Sequence, residues 1–139
     1  QKSKESNTMK FKTPLVAAGL MVSILTLNAQ VQIGADIVGE AFGDNSGYSV
    51  SMPDANTVAI GAPYNDGNGI DAGHVRVYTW SGTAWVQKGV DIDGEAANDY
   101  SGFFCISLSG DGKKLAIGSH GNDSNGTDSG QVRIFTDEG

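Results

Sequence analysis

One stretch of this chain occurs twice, and that duplication limits its fold more than any other feature. Residues 59–79 match residues 116–136 at an offset of 57, with 12 identities in 21, and residues 34–47 match residues 89–102 at an offset of 55, with 9 in 14. Unrelated segments of ordinary composition share about one residue in ten. The chain therefore contains two copies of one unit of about 55 residues.

Each copy has the pattern of short antiparallel strands. Runs rich in Val, Ile, Tyr, Phe and Trp are bounded by Gly, Asn, Asp and Ser, which is typical of strands joined by turns. No segment after residue 30 keeps a 3.6-residue apolar period, so we predict no helix there. The predicted strands are Tyr48–Met52, Thr57–Ala62, His74–Trp80 and Trp85–Asp91 in the first copy, and Phe103–Leu108, Leu115–Ser119 and Gln131–Thr136 in the second.

Four antiparallel strands in a unit of this length predict a β-propeller blade. We therefore predict an all-β fold of four-stranded blades, with two blades present and the second incomplete, because it lacks a fourth strand. A blade leans on its neighbours to cover both faces. We accordingly expect more blades beyond residue 139, and marginal stability for these two alone.

The segment 31–37 matches residues 86–92, so it is a fourth-strand sequence with no blade before it. In a closed propeller such a strand completes the last blade and removes an open sheet edge. We favour that interpretation; the alternative is the irregular start of a linear array.

The N-terminal region predicts export. Met9 is the expected start, two lysines follow it, and the apolar run 15–27 ends before a small residue at Ala29. These are the parts of a secretory signal peptide, and the run is shorter than the ~18–20 residues of a membrane span. The predicted divisions are residues 1–8 (upstream, unassigned), 9–29 (signal peptide), 30–86 (first repeat with its preceding orphan strand) and 87–139 (second, truncated repeat).

The charge and cysteine content exclude several classes of function. The first 29 residues hold four lysines and one glutamate, so the remainder has five basic and fifteen acidic residues. A nucleic-acid surface needs clustered Lys and Arg, so we predict no nucleic-acid partner. Cys105, the one cysteine, lies in an apolar run and is predicted to be a buried small hydrophobe.

The repeated residues resemble a known family. Ser46-Gly47, Val58-Ala59-Ile60-Gly61-Ala62-Pro63 and Gly73-His74-Val75-Arg76-Val77-Tyr78 resemble the FG-GAP repeats of integrin α-subunit β-propellers and their bacterial relatives, and the second copy keeps Ser101-Gly102 and Leu115-Ala116-Ile117-Gly118. The resemblance implies a seven-bladed propeller outside the cell, used for adhesion or protein binding.

Many such repeats carry a calcium loop of the form DxDxDGxxD before the strand that leads to Gly-Ala-Pro. Here that position holds residues 53–56 and 109–113, which supply too few carboxylates for a shell of six to eight oxygens. A different loop, D-x-N-G-x-D, offers oxygens at alternating positions with a glycine between them. The calcium candidates are Asp66, Asn68 and Asp71, with Asp123, Asn125 and Asp128 in the second copy. The alternative is that these residues only shape a turn, and we commit to no cofactor.

Other polar and aromatic residues are predicted to be structural. Recurring acids argue against catalysis, since an active site occurs once, and favour hydrogen bonds between neighbouring blades. The two arginines are expected to lay their aliphatic stems on neighbouring strands. The two histidines are expected to be polar surface residues, since neither has a partner at metal-ligand spacing. The tryptophans could form an aromatic platform but more often pack across a hairpin. These residues are Glu40, Asp44 and Ser46 with Glu95, Asp99 and Ser101; Arg76 and Arg133; His74 and His120; and Trp80 and Trp85.

Taken together, the sequence predicts a non-enzymatic binding or adhesion propeller, secreted or at the cell surface, with an extracellular protein or glycan as partner and no membrane span in the mature chain. The alternative is the propeller portion of a secreted hydrolase or lyase whose active site lies outside these residues. A passive structural repeat is the third possibility.

Overall fold

The computed structural model describes residues 30–138, and all regular structure there is β-strand. The predicted signal peptide and residues 1–8 lie outside the described residues. Within the described range there is no helix of the length and hydropathy that crossing a bilayer requires. The strands are β1 (Ser49–Ser51), β2 (Thr57–Ala62), β3 (His74–Trp80), β4 (Trp85–Gln87), β5 (Ile92–Asp93), β6 (Ile106–Leu108), β7 (Lys114–Ser119) and β8 (Gln131–Thr136).

The strands form two antiparallel sheets, one for each repeat. The first has the order β1-β2-β3-β4, with β5 also pairing with β3, and the second has the order β6-β7-β8. This confirms the predicted all-β fold, with four consecutive strands in the first repeat and three in the second.

Strand pairing has the same register in both repeats. In the first, β2 and β3 pair from Thr57 opposite Thr79 to Ala62 opposite His74. In the second, β7 and β8 pair from Lys114 opposite Thr136 to Ser119 opposite Gln131. All four positions differ by 57, so the sequence offset is also the structural offset.

Several predicted strands end earlier or begin later than expected. The fourth strand stops at Gln87, because Gly89 has a φ of +75° and turns the chain out of the sheet before it returns as β5. The strand predicted from Phe103 begins at Ile106, since the Phe103 ring packs instead among neighbouring aromatic rings. The first strand covers only Ser49–Ser51.

The segment predicted as an orphan fourth strand is not a strand in the described structure, but it repeats the local geometry of residues 87–91. Gln32 Nε2 donates to Asp36 Oδ1 at 2.8 Å, as Gln87 Nε2 does to Asp91 Oδ1 at 2.7 Å. Gly34 has the same φ of +75° as Gly89. The two stretches therefore fold alike locally, although the earlier one has no sheet partner within residues 30–138.

The core lies where the two repeats meet. Ala59 and Val75 of the first sheet pack with Leu108, Leu115 and Ile117 of the second. The alternation of β3 explains this arrangement, because Val75 and Val77 lie on one face and contact the cluster. Burial of these side chains supplies the main favourable free energy of stacking.

Candidate functional site

A buried Asp–Asn pair anchors the loop edge of each repeat. Asp44 Oδ2 accepts a hydrogen bond from Asn65 Nδ2 at 3.0 Å, and Asp99 Oδ2 accepts one from Asn122 Nδ2 at 3.0 Å. All four side chains are buried. Each pair ties the segment that precedes a sheet to the long loop inside the same sheet.

These bonds correct the prediction that the recurring acids link neighbouring blades. Asp99 also accepts from the backbone N–H groups of Glu95 and Ala96, at 3.1 Å each, and all of its partners belong to its own repeat. Asp44 likewise accepts from the N–H of Ala41. Each carboxylate thus accepts hydrogen bonds from backbone N–H groups close to it in the sequence, as in an Asx turn.

Contact between the repeats is made largely by the backbone of the second linker, residues 94–102. The N–H groups of Gly94, Asn98, Tyr100 and Ser101 donate to carbonyls of residues 70–73 at 2.7 to 3.1 Å. Ser101 is consequently fully buried, whereas its equivalent Ser46 is exposed. A recurring residue thus has two environments, depending on whether another repeat precedes it.

The two D-x-N-G-x-D loops have one conformation. Asp66 Oδ1 accepts from the N–H of Asp71 at 2.9 Å, and Asp123 Oδ1 accepts from the N–H of Asp128 at 2.8 Å. The final aspartates have φ values of 52° and 51°. These bonds support the turn interpretation of the pattern, since the first carboxylate of each loop closes the turn.

The asparagines of the same loops differ in their partners. Asn68 Nδ2 donates to the carbonyls of Gly94 and Glu95, at 2.8 and 3.1 Å, so it helps to hold the second repeat. Asn125 is exposed and its backbone N–H donates to Ser129 Oγ. The six calcium candidates therefore lie in two ordered loops, and calcium binding there stays a prediction.

The first loop borders a depression of about 370 Å³. Ile70 stands on its rim with 70% of its surface exposed, and Asp66 and Asp71 lie beside it. The remaining lining residues are Phe42, Gly43, Asn45 and Tyr64. Apolar side chains and two carboxylates therefore lie side by side around this depression.

A second polar cluster surrounds Arg76 in the first repeat. Arg76 donates to both oxygens of Asp91, at 2.8 and 2.7 Å, and also forms an ion pair with Glu40. The bidentate bond from Arg76 holds the pKa of Asp91 below its ordinary value and raises the pKa of Arg76. The prediction that Arg76 contributes mainly its aliphatic stem is incomplete, because its guanidinium joins residues 40 and 91.

His74 belongs to this cluster, and the prediction of a surface histidine is wrong. Only 2% of its surface is exposed. Its Nδ1 lies 4.0 Å from Glu40 Oε2 and 3.9 Å from Asp91 Oδ2, and has no hydrogen-bond partner. Burial lowers the pKa of His74, with a smaller contribution from Arg76, so the imidazole is neutral at pH 7.

The equivalent position in the second repeat is a hydrogen-bonded pair. Gln131 replaces His74, and its Nε2 donates to Glu95 Oε2 at 3.1 Å. Arg133 lies 3.9 Å from Glu95 and donates to the carbonyl of Asp93. Glu40 and Arg76 recur in the second repeat as Glu95 and Arg133. A pair of opposite charges that recurs in this way could have predicted that the two side chains lie close together in each repeat.

The two tryptophans pack against each other. Trp80 and Trp85 are opposite one another in the β3–β4 hairpin with ring centroids 5.4 Å apart, which confirms the hairpin interpretation. Trp85 Nε1 also donates to the carbonyl of Ile33. His120, predicted to be a polar surface residue, is exposed and stacks on Tyr100 with ring centroids 5.2 Å apart.

Cys105 is exposed, so the prediction of a buried thiol is wrong. Strand β6 begins one residue later, and Cys105 borders an open hollow together with Phe104 and Val132. The apolar residues 103–106 are therefore less buried than their composition predicts.

Comparison with known protein families matches residues 39–78 to the family described as FG-GAP repeat. The match covers β1, β2 and most of β3 of the first repeat, including the Asp44–Asn65 pair and the loop 66–71. Searches of curated proteins and of solved structures return no match.

Proposed function

We propose that this chain, which is an FG-GAP-type repeat protein, is a non-enzymatic binding module that acts outside the cell or at its surface. Its partner would be an extracellular protein or glycan. The blades form a rigid scaffold, and the loops that connect their strands contact the partner. Binding residues are commonly carried by such loops on a rigid framework.

The observation that carries this proposal is the shared conformation of the loops 66–71 and 123–128. Each is closed by its own aspartate and anchored below by a buried Asp–Asn pair. A loop fixed before binding loses little conformational entropy when a partner arrives. Six residues in each loop therefore form a preorganised contact surface.

The recurrence of the acidic residues supports a binding role over a catalytic one. Asp44 and Asp99 are both buried, and Oδ2 of each accepts hydrogen bonds from donors of its own repeat, which is typical of a structural role. A glycosidase-type centre needs two carboxylates that face a sugar. The geometry of these acids favours a scaffold.

A binding experiment with loop and turn variants tests the proposal. The secreted chain is applied to a panel of purified extracellular matrix proteins and to a glycan array. The loop variant combines Ile70→Ser with Thr127→Ala, both at exposed positions. The control combines Ala55→Ser with Thr83→Ser, in the turns at the opposite end of the same sheet.

We expect the unchanged chain and the control to bind the same class of partner, and the loop variant to bind at least tenfold more weakly. Absence of any retained partner, or equal binding by the loop and turn variants, would overturn the proposal. Circular dichroism confirms that each variant keeps its β structure.

The proposal also requires export. We expect amino-terminal sequencing of the protein recovered from the culture medium to begin near Gln30, since the leader ends at Ala29. Retention inside the cell with the leader uncut would contradict an extracellular role.

A further inference from the structure

We propose that Glu40, His74 and Asp91 form a site for one divalent metal ion of the zinc type, in the first repeat only. These residues lie far apart in the sequence, and the fold brings one ligand atom of each to within 4.8 Å of the others. Within the described residues no other group of three or more His, Cys, Asp or Glu side chains meets this condition. The site is separate from the loops 66–71 and 123–128.

The unpartnered nitrogen of His74 is the first argument. Nδ1 is buried and lies about 4 Å from a carboxylate oxygen on each of two sides, too far for a hydrogen bond. A buried polar atom without a partner is destabilising, because it has lost its hydrogen bonds to water. A cation between the three groups would satisfy the nitrogen and both carboxylates together.

The ligand types indicate which metal fits. An imidazole nitrogen with two carboxylate oxygens suits Zn²⁺ and related transition metals, whereas Mg²⁺ and Ca²⁺ prefer oxygen alone. Zn²⁺ bonds of about 2.0–2.2 Å place tetrahedral ligands roughly 3.4 Å apart. The distances of 3.9 and 4.0 Å from Nδ1 thus need to close by about half an ångström. Glu40 is half-exposed, so water can supply the fourth ligand.

Arg76 would compete with the metal for one oxygen and orient the other groups. Its Nε and the Gln87 amide both donate to Asp91 Oδ1, while Nη2 occupies Asp91 Oδ2, the oxygen nearest His74. Glu40 Oε2 receives only a long bond of 3.5 Å from Asn65, and Arg76 contacts the other oxygen. A metal at Asp91 Oδ2 would lie beside the positively charged guanidinium and compete with its Nη2 hydrogen bond, so removal of the guanidinium should tighten binding.

The second repeat provides a natural control. Gln131 occupies the position of His74 and donates to Glu95, which leaves no imidazole to bind a metal. The fold therefore accepts glutamine at this position. His74→Gln is a substitution that should remove the metal ligand and keep the sheet intact.

The experiment uses the full chain without a histidine tag, stripped of metal. Zn²⁺ is titrated by calorimetry, and Co²⁺ is followed by its visible absorption. We expect one equivalent of Zn²⁺, a Co²⁺ spectrum of low coordination number, and at least tenfold weaker binding in His74→Gln. His120→Gln, which removes the other histidine, should bind as the unchanged chain does, and Arg76→Gln should bind more tightly.

Equal binding by the unchanged chain and His74→Gln, or no binding to the unchanged chain, would overturn the proposal. Loss of binding in His120→Gln alone would assign the ion to the exposed histidine and overturn it as well. A measurement on the unchanged chain guards against misfolded variants: Zn²⁺ should shift the side-chain nitrogen resonances of His74 and leave those of His120 in place.

Discussion

The two repeats share a sequence pattern, a strand register and a loop conformation, yet their sheets are covered differently. Val75 in the first sheet is fully buried, while its equivalent Val132 in the second is 68% exposed. The sheet face that packs against the second repeat in the first copy is exposed to solvent in the second copy. Burial here is therefore set by the neighbouring repeat and not by the sheet itself.

This difference locates the stacking contacts in the molecule. The linker 94–102 lies against the first repeat and donates four backbone hydrogen bonds to it. In a quasi-repetitive fold, stability is approximately the sum of each unit and its interface with the next. Equivalent substitutions in the two repeats should then differ by their interface contribution.

The largest difference is expected between Gly73→Ala and Gly130→Ala. Both glycines have a left-handed φ, of +72° and +73°, so both variants carry the same backbone strain. A Cβ at Gly73 would lie 2.5 Å from the Ser101 carbonyl oxygen, whereas at Gly130 the nearest atom is 3.6 Å away. We expect a loss of about 4 kcal/mol for Gly73→Ala and about 1 kcal/mol for Gly130→Ala, measured by urea unfolding. Similar losses would mean that residue 73 is not a stacking contact.

The second comparison concerns the buried aspartates. Asp99→Ala leaves three donors without their acceptor, and Asp44→Ala leaves two. We expect losses of about 3 and about 2 kcal/mol in the free energy of unfolding. If Asp44→Ala proved the more costly in the same urea series, the number of donors that lose their acceptor would not explain the difference between the two aspartates.

Valine-to-threonine substitutions test coverage of the two sheets directly. The threonine hydroxyl is buried without an assured partner at position 75 and reaches water at position 132. Val75→Thr should cost about 2 kcal/mol and Val132→Thr within about 0.5 kcal/mol. Thermal melting of both variants measures the effect; a substantial loss in Val132→Thr would show that something covers the second sheet in solution.

The smallest expected effect is at Ser49, the residue that follows the recurring aromatic Tyr48. Ser49 Oγ donates to the carbonyl of Gly102 across the interface, whereas its equivalent Phe104 is 71% exposed. Ser49→Ala should cost about 1 kcal/mol and Phe104→Ala close to nothing. Chemical denaturation resolves this difference, and equal costs would place Ser49 outside the interface.

Much of the fold could be predicted because the determining signals are local. Turn residues and two-residue alternation specify β2, β3 and β7 within one residue, and β8 matches its predicted bounds. Residues 88–91 were harder to place, because their sequence pattern is that of a continuing strand. The positive φ of Gly89, and the renewed pairing of the chain with β3, are visible only in the structure. The result is the short β4 and the returning β5.

The polar cluster could not be predicted from local pattern, because its members come from three segments, at residues 40, 74–76 and 91, that lie 15 to 51 residues apart in the sequence. His74 looks like any polar residue on an alternating strand until Glu40, from the segment before β1, and Asp91, from the β4–β5 bend, approach it. Burial of Ser101 likewise depends on the carbonyl groups of residues 70–73 in the preceding repeat. The burial of a side chain by a neighbouring repeat cannot be predicted from the residue at that position alone.

Amide hydrogen exchange, followed by NMR, tests the stacking of the repeats most directly. The Ser101 N–H donates to the carbonyl of Ala72, while the equivalent Ser46 N–H makes no backbone hydrogen bond within residues 30–138. We predict that Ser101 exchanges almost as slowly as the core strands and Ser46 nearly as fast as an unstructured peptide. Equal exchange rates at the two serines would contradict the account.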